Sequence, residues 1–308
     1  MRADSLDEGI AAAFEALVGT AVTDVGAAGA LGRLVSILIA QIASDAWRDA
    51  RDRLVELLAL TQRNYPDISS LRRDLATSLF NILVYAKREN ALARRDAVLK
   101  QLRALAGRYP SDAMVRKRLT MGLFNTLCDA KEEDTLDRRD ALLGELRALG
   151  ELYSDDAAVR EDVAMALVNA LGYAKEEGVL DRRDALLDAL HELTERYPDD
   201  AAVRLRLARS LCNTLGDAKA EGAPARRDVL LDELRILASR HSDDAGVREM
   251  LAHGLSIVLL ESNMEGNGAR VDTLSDELRE LANAHLDDPK VADILRLVLR
   301  EEFIPKGR

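Results

Sequence analysis

Apolar residues recur along this chain at spacings of three and four, in blocks that themselves repeat. Val203, Leu207, Leu211, Leu215 and Ala218 form one such stripe; Leu186, Leu187, Leu190 and Leu193 form the one before it. That spacing puts side chains on one face of an α-helix, whereas a half-buried strand needs strict alternation, which no useful length of the chain shows. The first stripe predicts a helix over 200–221. It opens at the turn Tyr197-Pro198-Asp199-Asp200, with an acid placed to cap it, and closes near Gly222. The second stripe predicts a helix over 182–197. No proline falls inside a predicted helix, and the fold class read from the pattern is all-α.

The blocks recur every 44 residues. Arg-Arg-Asp stands at Arg94-Arg95-Asp96 and again at 138–140, 182–184 and 226–228. Tyr65, Tyr109, Tyr153 and Tyr197 share one register, and Leu79, Leu123, Leu167, Leu211 and Leu255 another. Residues 138–181 and 182–225 agree at 25 of 44 positions, enough to replace the prior of two globular domains with a stacked array of helix pairs. Each pair has an apolar face it cannot bury alone, so neighbours must cover it. Six pairs are expected over 26–287, with an N-terminal capping helix inside 1–25 and a C-terminal capping helix and tail over 288–308. Residues 31–42 are apolar nearly all round, which suits burial at the N-terminal end or a contact between copies there. The run is too short and too polar, with Arg33 and Gln41, to span a membrane.

Leu207-Ala208, Leu211, then Leu230, Leu234 and Leu237 of a second helix, then the turn at His241-Ser242-Asp243, resemble the tetratricopeptide repeat (TPR) pattern. The units near 112 and 156 resemble it too, and the likeness covers about 26–303. The unit is longer than the standard one, as in the kinesin-light-chain type, and the signature Trp and Gly-Tyr positions are absent. The resemblance implies a right-handed superhelical solenoid of antiparallel helix pairs whose first helices line a concave binding surface.

One register stands apart from the apolar framework. Asn81, Asn125, Asn169 and Asn213 recur mid-helix, although Asn is a mediocre helix former. At about 100° per residue, Asn213 lies roughly 150° from the centre of its own apolar stripe. An Asn amide offers two donors and an acceptor, enough to hold a peptide's main chain at two points. On the TPR resemblance this register faces the groove, and the ladder would fix an extended peptide while variable neighbours select among sequences. Those neighbours are Arg118 and Arg206; Met121, Met165 and Arg209; and Tyr85, Asp129, Tyr173 and Asp217. Ile37 and Ile257 replace Asn at the two ends of the ladder. The competing account has the Asn side chains bonding neighbouring helices as glue between repeats.

The recurrent charges read as structural. Asp112/Arg116, Asp156/Arg160, Asp200/Arg204 and Asp244/Arg248 have the acid-first i, i+4 spacing that stabilises a helix start. Asp96, Asp140, Asp184 and Asp228 sit near the starts of second helices, and Lys87, Lys131, Lys175 and Lys219 in the last turns of first helices, both matching the helix dipole.

Composition narrows the function. The net charge of −11 disfavours a general affinity for nucleic acid or anionic membrane. Cys128 and Cys212 are too few for a disulfide framework, and His191, His241, His253 and His285 lack metal spacing. Asn263, Glu265, Asn267 and Gly268 match the first half of a calcium loop, but Leu274 stands where its closing acid belongs. The opening residues show no basic-then-apolar leader, so a cytoplasmic protein is expected. The expectation is a non-enzymatic protein- or peptide-binding scaffold or adaptor with no cofactor. The alternatives are a nucleic-acid-binding helical-repeat protein and a sensor that closes on a peptide or small signal to regulate a partner.

Overall fold

The computed structural model describes residues 25–41, 48–132, 136–285 and 288–302. The expected N-terminal cap within 1–25, apart from Val25, and residues 303–308 lie outside them. Thirteen α-helices follow one another, with no strand among the described residues. They are α1 (Val25–Gln41), α2 (Arg48–Asn64), α3 (Ser69–Arg88), α4 (Leu92–Arg108), α5 (Ala113–Glu132), α6 (Leu136–Leu152) and α7 (Ala157–Glu176). After them come α8 (Leu180–Arg196), α9 (Ala201–Ala220), α10 (Pro224–Arg240), α11 (Ala245–Met264), α12 (Gly268–Ala284) and α13 (Pro289–Glu302). Odd-numbered helices are the first members of pairs and even-numbered ones the second. None is long and apolar enough to cross a membrane.

Two recurring turns explain why the helices stop where they do. After the first helix, Asn90, Gly178, Gly222 and Gly266 share a register and take φ of 52°, 70°, 65° and 74°. This is the left-handed region, open to Gly and tolerated by Asn. The next residue then returns its N–H to a carbonyl five back, Ala91 to Ala86 at 2.8 Å and Ala223 to Ala218 at 2.9 Å, which satisfies an otherwise orphaned helix end. The reversal is tight, and the second helix α8 begins at Leu180, two residues before the expected start at 182. After the second helix, the N–H of Asp112, Asp156, Asp200 and Asp244 bonds the carbonyl three back, at Tyr109, Tyr153, Tyr197 and His241. The same acids then cap the following helix: Asp244 accepts from the N–H groups of Gly246 and Val247 at 3.0 and 3.2 Å.

The chain forms two compact units, Met1–Ala166 and Leu167–Arg308, which meet within α7. In the first unit α3 packs on α1 and α5, its own partner α4, and α2 of the preceding pair. In the second unit α11 packs in the same way on α9, α13, α12 and α10. These first helices therefore touch their successors directly, and a small residue sits at that contact. Gly32, Ala76, Thr120 and Ala164 share the register in the first unit, and Ala208 and Ala252 in the second; every one is buried. A Cβ on Gly32 would stand 2.7 Å from Leu71 Cδ2 and 2.9 Å from Asp74 Oδ2, so α1 and α3 are close there. In α13 the same register carries Arg296, whose side chain is 70% exposed and pairs with Asp293 at 2.7 Å.

The expected i, i+4 pairing of recurrent Asp and Arg is corrected by the structure. Arg72 reaches Asp112 at 3.5 Å, Arg204 reaches Asp244 at 3.1 Å and Arg248 reaches Asp288 at 3.3 Å, each one repeat on. Arg72 and Arg116 also stack on Tyr109 and Tyr153, at the ends of the second helices of their own pairs, 4.7 Å from each ring centre. The acid already caps its own helix, so its free oxygen faces back toward the preceding repeat rather than along its own helix.

Arg-Arg-Asp joins repeats too, so its Asp does more than complement a helix start. The first Arg pairs with the Asp of the preceding motif, as Arg138 does with Asp96 and Arg226 with Asp184, and Arg270, in the same register, pairs with Asp228. The second Arg is buried and reaches forward: Arg183 pairs with Glu221, and Arg227 with Glu261 at 3.0 Å and Glu265 at 3.1 Å. A buried guanidinium without such a partner would cost several kcal/mol, roughly, so these residues fix the register of stacking. Ala28 and Ala292 take the place of the stacking Arg at the outermost first helices, and Val271 that of the buried Arg in α12.

Candidate functional site

One surface left open by this packing is a face of the first helices. In the first unit it is built from α3 and α5. Asn81, half-buried, and Asn125, half-buried, stand on successive helices with Thr77, Met121 and Arg118 beside them. Leu83, Val84 and Lys87 of α3 and Asn125, Cys128 and Asp129 of α5 line a shallow groove of 210 Å³. Arg118 donates to Thr77 Oγ1 at 3.3 Å and lies over the Phe80 ring at 5.4 Å, tying α5 to α3 while its charge meets no carboxylate among the described residues. In the second unit Arg209 and Asn213 stand exposed one turn apart on α9, with Arg206 half-buried. Asn169 and Tyr173 are half-buried on the part of α7 that belongs to this unit, and Met165 is half-buried on the part that belongs to the first.

The ladder is not bonded along its length. Among the described residues, the amides of Asn81, Asn125 and Asn213 have no hydrogen-bond partner, whereas Asn169 has one. Glue between repeats would require the opposite, and the ion pairs described above already perform that joining. Three side chains that can each donate twice and accept once are left facing outward.

Other expected contact residues are placed differently. Tyr85 is buried: its hydroxyl donates to the Ala40 carbonyl at 3.0 Å and its ring lies 4.6 Å below the Arg51 guanidinium. Asp129 is buried and held by Lys87 at 2.5 Å and Arg95 at 3.5 Å. Both lie one turn beyond the Asn and rotated about 40° toward the preceding helix pair, where a side chain meets protein before solvent. Asp217, in the same register, is held by Lys175 at 2.5 Å. These acids and Tyr85 belong to the joints between repeats.

The sequence reading passed over Phe80 and Phe124. They occupy the position before Asn81 and Asn125, half-buried on the open face. The signal was present: the chain has only four Phe, and two share this register.

Two carboxylates near the face have raised pKa values. Burial pushes Asp74 up, partly offset by Arg33. Burial also pushes Asp162 up, against a hydrogen bond from the Thr120 hydroxyl that favours its charged form. The Cys212 thiol, buried in α9, is raised to about 11 and stays protonated. Asn267 caps α12 by accepting from the Arg270 N–H at 3.3 Å, and Leu274 is buried in the same helix. No cluster of three or more metal-ligating side chains occurs among the described residues.

The chain is thus an all-α protein of tandem helix pairs whose open face carries unbonded amides, rings and cations. No family model, no curated protein and no solved structure matches it.

Proposed function

We propose that the protein is a non-enzymatic, peptide-binding scaffold or adaptor, a TPR-like right-handed superhelix that takes an extended segment along its first helices. The observation that carries this reading is the unbonded state of Asn81, Asn125 and Asn213 on the open face. A side-chain amide with no partner loses little when it exchanges water for a peptide's main chain, and it offers donor and acceptor together. Thr77, Met121 and Arg209 at one variable register, with Phe80 and Phe124 beside the amides, supply contacts that differ from repeat to repeat.

The test is a random twelve-residue peptide display selection on the whole protein, followed by titration of the enriched peptides. Wild type is compared with the Asn81→Ala/Asn125→Ala/Asn213→Ala variant, checked for an unchanged melting curve. Loss of about tenfold or more in affinity for the variant supports main-chain capture by the ladder. Equal affinity for both proteins places binding elsewhere and overturns it.

A further inference from the structure

Resting on that reading, we infer that the segment held by the first unit carries an apolar side chain at every third residue with acidic residues between, in the polyproline II conformation. Two independent observations lead there.

The first is spacing. Asn81 and Asn125 stand on helices that pack directly against each other, and packed helices lie about 8–10 Å apart. A β-strand rises about 3.3 Å per residue, so two residues fall short at roughly 6.6 Å. Three residues reach about 10 Å but then present the opposite face. Polyproline II rises about 3.1 Å per residue with three residues per turn, so every third residue recurs at about 9.3 Å with the same orientation. Of these two extended forms, only the threefold one offers equivalent main-chain groups to successive Asn amides, and it sets equivalent side chains against Phe80 and Phe124.

The second is charge. The chain is acidic overall, yet α3 and α5 together carry eight basic and three acidic residues. Elsewhere the recurring Arg are neutralised across the joints between repeats. On this face Arg88, Lys117 and Arg118 form no ion pair among the described residues, and Arg88 merely lies over Tyr85 at 5.8 Å. The acids nearby are withdrawn: Asp129 is buried in its own ion pairs, and burial drives Asp74 toward its neutral form. A basic strip beside half-buried rings complements an acidic segment with apolar anchors.

The probes are fluorescent twelve-residue peptides repeating Leu-Pro-Glu, Leu-Pro-Lys, Leu-Pro-Gln or Leu-Glu, and oligouridylate, titrated by anisotropy into the whole protein. Leu-Pro-Glu is expected to bind at least about tenfold tighter than the Lys, Gln and two-residue-period peptides, and to weaken as salt rises. Arg88→Glu/Lys117→Glu should remove about tenfold of that affinity, with a circular dichroism melt showing that the variant is still folded. Leu-Pro-Gln or Leu-Glu binding as tightly, or oligouridylate binding more tightly, overturns the inference. So does failure of Leu-Pro-Glu to bind while display-selected peptides still depend on the Asn ladder; the peptide-binding reading then stands. If Leu-Pro-Glu binding needs Arg88 and Lys117 but survives Asn81→Ala/Asn125→Ala, main-chain capture fails instead.

Discussion

Arg116 donates to Asp156, forty positions on, with Nε and Nη2 at 3.2 and 2.8 Å from one carboxylate oxygen, and not to Asp112 one turn before it. The same guanidinium covers Tyr153 and donates to the Pro110 carbonyl at 2.7 Å, so one side chain closes the turn behind it and clamps the repeat ahead. Both side chains of the ion pair are more than four-fifths buried, which lifts it above the small value of an exposed pair.

Arg116→Ala is therefore expected to lower stability by about 2 kcal/mol, and the Arg116→Ala/Asp156→Ala cycle to show a coupling of about 1 kcal/mol. Arg116→Lys should recover only part, because an ammonium can neither fork nor stack as the guanidinium does. An Asp112–Arg116 cycle should show coupling below about 0.3 kcal/mol. Urea denaturation of the variants measures all three.

The open-face amides predict the opposite behaviour. Asn125→Ala removes no bond, and Ala is the better helix former, so stability should hold or rise by up to about 0.5 kcal/mol. A fall of more than about 1 kcal/mol in a thermal melt would return the ladder to a structural role.

Asp162 predicts a pH dependence of definite sign. Its pKa in the fold is raised, so the fold prefers the neutral acid and the ionised form costs stability at pH 7. Asp162→Asn, which keeps an acceptor for the Thr120 hydroxyl, should be more stable than wild type at pH 7. The gap should narrow as pH falls through the raised value. Glu221 has the reverse sign: Arg183 lowers its pKa, so its contribution is full above the ordinary carboxylate value and is lost as pH falls through the lowered one. Denaturation midpoints between pH 7 and pH 3 for wild type, Asp162→Asn and Glu221→Gln check both.

Ala208 and Arg296 share a register with opposite surroundings. Ala208→Arg forces a guanidinium between first helices that touch, and should cost more than about 3 kcal/mol or unfold the second unit. Arg296→Ala should change stability by no more than about 0.5 kcal/mol. Circular dichroism melts of the two variants provide the comparison.

The helices and their pairing were legible in the sequence because both arise from local rules. A stripe at spacings of three and four, a Gly after one helix and a Tyr-x-x-Asp turn after the next act within a few residues, and the 44-residue period repeats them until they stand out. The Asn register was legible for the same reason: helical geometry alone turns it away from the apolar stripe. The partners of the charges were not. Asp112 stands four residues from Arg116 and forty from Arg72, and sequence spacing favours the near neighbour. Packing decided otherwise, because the turn aims the carboxylate back at the preceding repeat, where Arg72 is already stacked on Tyr109. Tyr85 and Asp129 were misplaced on the same ground, since a rotation of about 40° on the helix separates solvent from the neighbouring pair. Local patterning thus sets the helices, their period and the residues that lie off the apolar core; which of those residues the next repeat takes up depends on groups brought together across about forty residues of chain, and packing alone sets that.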